Sequence, residues 1–477
     1  MISSAGRPNI IQILSDEHMG LALSCAGDPN VHTPNLDRLA QEGVRFERAY
    51  ANTPVCTPSR GTMFSGRHAH AGPVQGFFDV WKVNTPSTAT LLGEAGYRSA
   101  YIGKWHCGIV RDQVPDIVRR DPERYPGEPI RTPEDRRAGF TDWFGFEMIN
   151  APFDTYVYRH QDTEPTRLEG YQTDVLTDLA IEYLQQYDGS GPLYLVLSVE
   201  PPHFPFEVPE RFRRFDPETL VLRPNCVDTP QIRREMAGYY AMIENLDWNV
   251  GRLLAALDEL SGFKGDQTCL VYVSDHGELM GSHGLIGRKI YPYEESVRIP
   301  AIFRWPGVIP ARGAAAGLFS LVDFAPTLLG LVDLPAPSWM QGHDWSSLLR
   351  GGADDGPAEV LLEMTGSPLW SPSYPNWRGL TDGRWKYAYY EHGLEQLFDL
   401  ENDPYEQHDL ATTEVERLEA FRTRLLDLLA ANREPFFDVL IEHGVAPTQA
   451  PRYLPPQDPN MGFPSDWPEP PSDDQKA

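Results

Sequence analysis

Cysteine is scarce in this chain: five residues (25, 56, 107, 226 and 269) stand among 477, an odd number with no Cys-x-x-Cys pair. That argues against a disulfide framework and fits a reducing compartment. Long apolar runs are missing too. The most apolar late stretch, 317–335, is interrupted by Asp323, Pro326 and Asp333, so no membrane-spanning helix is expected. Met1 to Pro8 lack the basic start and apolar run of a secretory signal and lead directly into a strand-like segment. These absences predict a cytoplasmic protein with no membrane partner. Positive charge is short as well: 41 Lys and Arg against 68 Asp and Glu leave a net charge of -27. With no basic run to follow a phosphate backbone, nucleic acid is not an expected partner. The same charge repels small anions at long range, so any anion site must gather its cations locally.

The chain is not poor in core-forming residues. A hydrophobic fraction of 41%, with 11 Trp, 21 Tyr and 21 Phe, predicts a packed globular enzyme with one large domain and a smaller one. Four apolar runs each end in a polar cluster. Ile10 to Leu14 precedes Ser15-Asp-Glu-His18, and Tyr97 to Ile102 precedes Gly103-Lys-Trp-His106. Leu193 to Val199 leads into Glu200-Pro-Pro-His203, and Cys269 to Val273 into Ser274-Asp-His-Gly277. Runs of this length without polar alternation suit strands buried on both faces of a parallel sheet. Helical patterns lie between them, among them Pro34 to Gln41, with Thr33 as N-cap and Gly43 beyond its end, and Arg233 to Leu260. In such sheets ligands bind outside the carboxyl ends of the strands, so the four clusters are expected to share one crevice.

From about Leu361 the pattern changes. Trp377 to Tyr390 and Leu397 to Leu400 read as short strands joined by turns at Asp382-Gly383 and Glu401-Asn-Asp-Pro404, followed by a helix from Thr413 to about Ala431. The expected organisation is an α/β domain over 1–360, a C-terminal α+β subdomain over 361–445 and a tail over 446–477 with nine prolines. Such a tail is either mobile or an arm laid over a neighbour, which leaves a homo-oligomer open. No internal repeat is present.

In Cys56-Thr-Pro-Ser-Arg60, a proline just inside a helical start puts Cys56 near a helix N-terminus, where backbone N–H groups attract anions. Taken alone, Cys56 reads more readily as a small buried hydrophobe, by a wide margin the commoner fate of a lone cysteine. The whole string, however, resembles the signature of the sulfatase family, in which this cysteine is oxidised to formylglycine by a dedicated generating enzyme. Further similarity lies in Thr33 to Ala40, Gly43-Val-Arg-Phe46, Gly96-Tyr97 with Gly103-Lys-Trp-His106, and Pro202-His203-x-Pro205-Phe206. It continues in Ser274-Asp-His-Gly-Glu278, Lys289-x-x-x-Tyr293 through Pro300, Val322-Asp-x-x-Pro-Thr327 and Leu397 to Pro404, covering about residues 8 to 432.

The resemblance implies an alkaline-phosphatase-like fold, a central mostly parallel sheet flanked by helices, with a smaller C-terminal antiparallel sheet plus helix. It also implies hydrolysis of sulfate esters. An aldehyde hydrate at residue 56 offers one hydroxyl to attack sulfur and a second whose deprotonation ejects sulfate by C–O cleavage, which a serine cannot do. Asp16, Glu17, Asp275 and His276, with the modified Cys56, are the implied ligands of one divalent metal ion that activates the hydroxyl and neutralises sulfate oxygens. Many relatives carry Asp at the place of Glu17 and Asn at that of His276. Calcium is therefore only the first choice, with Mn²⁺ or Mg²⁺ as alternatives, since imidazole is an unusual ligand for Ca²⁺. Arg60 is expected to steady the formylglycine hydroxyl, Lys104 and Lys289 to hold sulfate oxygens, His203 to act as general acid for the departing alcohol, and His106 as the base that triggers sulfate release.

Outside these motifs, Asp16 and Glu17 read as turn caps and His276 as a core histidine. His18, His68, His70 and His283 are left outside the catalytic set, while the aromatics of 143–158 and 204–215 are candidates for the substrate pocket. Two other functions use the same residues. The similar phosphonate monoester hydrolases, which also carry an Asp-His pair here, suggest a phosphonate monoester or phosphodiester substrate. A silent anion-binding protein would keep Cys56 as a thiol. The alcohol half of the substrate is not specified, because loops outside the motifs form its pocket.

Overall fold

The computed structural model describes residues 7–77, 79–108, 129–285, 289–365 and 376–445. The tail at 446–477 lies outside them. A ten-stranded sheet forms the body. In chain order its strands are β1 (Asn9–Ser15), β2 (Val44–Tyr50), β3 (Arg98–Lys104), β4 (Asp142–Phe146), β5 (Thr155–Arg159), β6 (Thr166–Leu168), β7 (Leu193–Ser198), β8 (Thr268–Ser274), β9 (Ala301–Arg304) and β10 (Gly313–Ser320). Across the sheet they run β10-β2-β9-β8-β1-β7-β3-β4-β5-β6. β8, β1, β7, β3 and β4 are mutually parallel, whereas β9, β5 and β6 pair antiparallel with their neighbours. The four predicted strands are therefore adjacent in the sheet and point the same way.

Their composition explains the burial. Alternate residues enter two separate cores: Ile10, Leu14, Tyr194, Val196, Val271 and Val273 face one side, and Ile11, Ile13, Leu195, Leu197, Leu270 and Tyr272 the other. Both faces are dry, so neither needs polar side chains. The helices are α1 (Pro34–Glu42), α2 (Cys56–Ser65), α3 (Thr88–Glu94), α4 (Gln172–Gln186), α5 (Pro230–Glu259), α6 (Glu294–Val297), α7 (Phe324–Leu331), α8 (Ser346–Leu349), α9 (Val415–Asn432) and α10 (Phe436–Glu442). Thr33 does stand at the N-cap of α1, but its hydroxyl donates to Asp37 Oδ1 at 3.1 Å and does not cap the backbone. No helix among the described residues is long and apolar enough to cross a membrane.

A second sheet, β11 (Val360–Met364), β12 (Trp377–Thr381), β13 (Trp385–Tyr390) and β14 (Glu395–Asp399), is antiparallel in that order. One face packs on the body through Val360, Leu362, Trp377 and Tyr390, which meet Val55, Phe77, Ile290 and Val297; the other is covered by α9 and α10. The structure departs from the sequence expectation in two places. β11 is an additional strand, and the turn from β13 to β14 falls at Gly393 (φ 89°), where glycine permits left-handed backbone. Residues 401–404 instead follow β14.

A buried joint ties this sheet to the body. Glu363 on β11 accepts from Ala69 N at 2.6 Å and pairs with His70 Nδ1 at 2.7 Å. Burial would raise the Glu363 carboxyl, but His70 outweighs it and brings it down to about 2. Burial would likewise lower His70, but Glu363 raises it above its ordinary value. The carboxylate contributes stability above its unfolded value near about 4.3, and the imidazolium below about 6.5. Replacing Glu363 by Gln is thus expected to destabilise the protein most between those limits. Denaturant midpoints across pH check this; a loss independent of pH would contradict it.

Candidate active site

Because β8, β1, β7 and β3 are parallel and in register, with Ser15 opposite Ser274 and Gly103 opposite Ser198, their polar ends emerge on one edge. Gly103 makes the closest approach. At φ 107°, a Cβ there would stand 1.8 Å from Ser198 O, so a side chain would push Lys104 away from β7.

Cys56 opens α2 and points at the ends of β1 and β8. Its sulfur lies 3.1 Å from His276 Nε2 and 3.6 Å from Asp16 Oδ1. Asp16, Cys56, Asp275 and His276 each bring one ligand atom into a cluster within 4.8 Å, all four buried. His276 Nδ1 lies 2.8 Å from Gly277 O; assigning the proton to that nitrogen leaves the Nε2 lone pair facing the cluster, the arrangement typical of a metal-binding histidine. Two carboxylates, an imidazole lone pair and the atom at residue 56 fit a divalent cation.

Cations surround this group. Arg60, one turn along α2, donates from Nε to Asp275 Oδ2 at 2.8 Å and from Nη1 to Lys104 O at 2.7 Å and Ser198 Oγ at 2.9 Å. Lys104 Nζ reaches Asp16 Oδ2 at 2.5 Å. Burial would raise the Asp16 carboxyl, but its cationic neighbours, Lys104 foremost and then Arg60, hold it well below the usual carboxylate range. Burial, reinforced by Asp16, pushes the Cys56 thiol well above its ordinary value, the opposite of what a thiolate nucleophile requires.

Glu17, His203 and Lys289 form a second group beside the first. Glu17 has left-handed backbone (φ 67°), and its carboxylate contacts Lys289 Nζ and lies 3.2 Å from His203 Nε2. It stands outside the four-donor cluster, although Asp16 belongs to both groups. His203 Nδ1 lies 2.6 Å from Phe204 O, and its Nε2 lies 3.2 Å from Lys289 Nζ. Burial, then Lys289 and Lys104, hold the His203 imidazole well below its usual value. His106, also in left-handed backbone (φ 55°), packs against Phe77 with both ring nitrogens free of hydrogen bonds among the described residues. Burial and Lys104 keep it neutral.

Every site residue expected from sequence therefore lies in this one buried region. The excluded histidines stand elsewhere: His18 is bound by Tyr272 Oη and Ala22 O, His70 by Glu363, and His283 stacks on Tyr293. Two supporting residues had been missed. Ser198 links Arg60 to Lys104 O. Glu200 accepts from the backbone of Ile149 and Asn150 at 2.8 and 3.1 Å and lies 3.8 Å from Lys104. Position at the end of an apolar run was the only available signal for either. Two other groups of donors, His70 with Glu363 and Glu434 and His283 with Glu295 and Glu406, are crossed by Arg378 and Lys386, each 2.6 Å from a carboxylate. They are ionic joints.

Residues 8–334 match the family model described as Sulfatase, and 281–433 the one described as N-sulphoglucosamine sulphohydrolase, C-terminal. The chain is 33% identical over 420 residues to the ulvan-active sulfatase of Formosa agariphila, covering 85% of this chain and 77% of that protein. A solved structure from Bacteroides fragilis, described as that of a candidate sulfatase, matches with TM-score 0.82 at 28% identity, over 91% of this chain and 97% of its own. The phosphonate monoester hydrolase of Agrobacterium radiobacter shares the fold, with TM-score 0.70 at 22% identity over 89% and 96% of the two chains. The first family model covers all four strand ends and α2 with Cys56, and the second takes in Lys289 and the antiparallel sheet; the chain belongs to the sulfatase family of hydrolases.

Proposed function

We propose that this chain hydrolyses sulfate esters at residue 56, matured from cysteine to formylglycine, beside one divalent cation held by Asp16, Asp275, His276 and residue 56. The observation that carries the reading is the convergence of those four donors within 4.8 Å at the start of α2, ringed by Arg60, Lys104 and Lys289. When bound, a divalent cation held by Asp16, Asp275, His276 and residue 56 would lower the pKa of a hydroxyl on residue 56 and neutralise charge on sulfate, and formylglycine hydrate would supply that hydroxyl and a second one for release.

The chain's own residues do the rest. Arg60 orients Asp275 and the residue-56 hydroxyl one turn away. Lys104 and Lys289 balance the sulfate oxygens as point charges in a low-dielectric pocket. His106, kept neutral, accepts the proton of the second hydroxyl. His203 is neutral in the free protein; the negative charge of a bound ester beside Nε2 favours its protonation, after which it protonates the leaving alcohol. Glu17 extends the ligand set or balances Lys289, as its position beside both supports.

Replacing His203 by alanine is expected to lower kcat/KM about 10²–10³-fold for esters of poorly acidic alcohols and about tenfold or less for activated aryl esters. A series of leaving groups of graded pKa checks this; equal losses would remove His203 from the acid role. The second reading is a phosphonate monoester or phosphodiester hydrolase, favoured by the imidazole of His276 in the donor set. Matched aryl sulfate and aryl phosphonate esters decide: the proposal expects higher kcat/KM for the sulfate, and the reverse overturns it. Calcium is the first choice of cation, with Mn²⁺ and Mg²⁺ as alternatives, and maturation requires a formylglycine-generating enzyme as a transient partner.

A further inference from the structure

Lys386 presents an unusual arrangement. It lies in β13 of the second sheet, in the string Trp385-Lys-Tyr-Ala-Tyr-Tyr390, yet only 1% of its side chain is exposed. Its Nζ lies 3.0 Å from Glu294 Oε1 and 2.6 Å from Glu406 Oε1. Burial would strip its proton, but Glu294 and then Glu406 keep it charged. A buried lysine between two carboxylates is costly to assemble and costly to break, so its location bears on what it holds.

What it holds is the segment that carries Lys289. Glu294 opens α6, five residues after Lys289, and its N–H donates to Glu406 Oε2 at 2.7 Å. The same sheet grips this segment twice more: Trp377 Nε1 donates to Ile290 O at 2.8 Å, and Gln396 Nε2 to Tyr293 Oη at 3.1 Å. Inside the segment, Ser296 Oγ donates to the carbonyl of Lys289 itself, and Ser296 O accepts from Gly277 N at 2.8 Å, one residue beyond His276. The second sheet, the Lys289 backbone and the end of β8 thus form one connected network.

We infer that Lys386 is a positioning residue for the sulfate-binding site: by fixing Glu294 and Glu406 it sets the place of Lys289, so the second sheet contributes to anion affinity without touching the anion. The inference rests on the proposed reading in which Lys289 meets sulfate oxygens. A lysine displaced by about 1 Å loses much of a charge-assisted contact.

The test measures the inhibition constant of inorganic sulfate, metal content and melting temperature for Lys386→Met, Lys289→Ala and Glu363→Gln. Glu363 anchors the same sheet at its β11 edge, on Ala69 and His70, and among the described residues makes no hydrogen bond or ion pair with the Lys289 segment. Lys386→Met and Lys289→Ala are each expected to weaken sulfate about tenfold or more with the metal retained, whereas Glu363→Gln lowers the melting temperature and leaves the sulfate constant unchanged. An unchanged constant in Lys386→Met, with Lys289→Ala weakened, overturns the positioning role. Equal weakening in Glu363→Gln overturns it too, since general loosening of the sheet would then suffice. An unchanged constant in Lys289→Ala removes Lys289 from the sulfate site, and the inference falls with that reading. If Lys386→Met does not fold, Glu294→Gln, which keeps side-chain size and removes the charge pair, carries the same expectations.

Discussion

Replacing Cys56 by alanine is expected to lower kcat/KM by at least about 10⁴-fold, in the range seen when an enzyme loses its nucleophile. The expectation follows from what remains. Arg60, Lys104 and Lys289 still line the anion pocket, and Asp16, Asp275 and His276 still offer their donors to the cation, so sulfate binding persists while the attacking group is gone. Serine at the same position is the sharper variant. It restores one hydroxyl but not the second, so it can take sulfate once and has no internal route to release it. Pre-steady-state kinetics should show at most one equivalent of alcohol per enzyme and then a halt. Steady turnover by the serine variant would require water to attack the sulfated side chain and would contradict the need for an aldehyde.

Removal of the divalent cation is expected to have the second-largest effect. Prolonged chelation should abolish turnover, and re-addition of the native cation should restore it. Without the ion, Asp16, Asp275 and His276 point donor atoms at one another in a buried cluster, with Arg60 and Lys104 paired to the two carboxylates. Binding of an ion to the native state alone stabilises it by about 4 kcal/mol at a thousandfold excess over Kd, so the chelated protein should also melt lower. His276→Ala should weaken the cation and leave Lys289 in place. Parallel assays with Ca²⁺, Mn²⁺ and Mg²⁺ then identify the ion, and turnover indifferent to chelation would remove it from the reaction.

The strand-end clusters were legible because strands buried on both faces contain little but apolar residues, so the first polar residue after each run marks the rim of the crevice. Asp16, Lys104 and Asp275 could be found on that ground alone, whereas Glu200 stood in such a cluster without a role. Pro58 placed Cys56 near the start of α2. Roles within the crevice were not legible from pattern. That Glu17 turns to Lys289 and His203, while Asp16 faces both groups, depends on a left-handed backbone at residue 17 and on side-chain directions across strands far apart in the chain. Lys386 was hidden for a related reason. In a β-strand a lysine between aromatics reads as the solvated face, and its burial follows from the docking of two sheets. β11 escaped although Gly351-Gly352 and Asp355-Gly356-Pro357 mark a turn before it, because Val360 to Met364 is a short run without period-two alternation.

Turnover at this site depends on the chemical state of residue 56. The most direct measurement is the mass of the proteolytic peptide spanning Cys56, taken on protein co-produced with a formylglycine-generating enzyme and assayed on an aryl sulfate in the same preparation. The account predicts that specific activity rises in proportion to the fraction carrying aldehyde in place of thiol. Full activity in protein whose Cys56 peptide contains only intact thiol would contradict it.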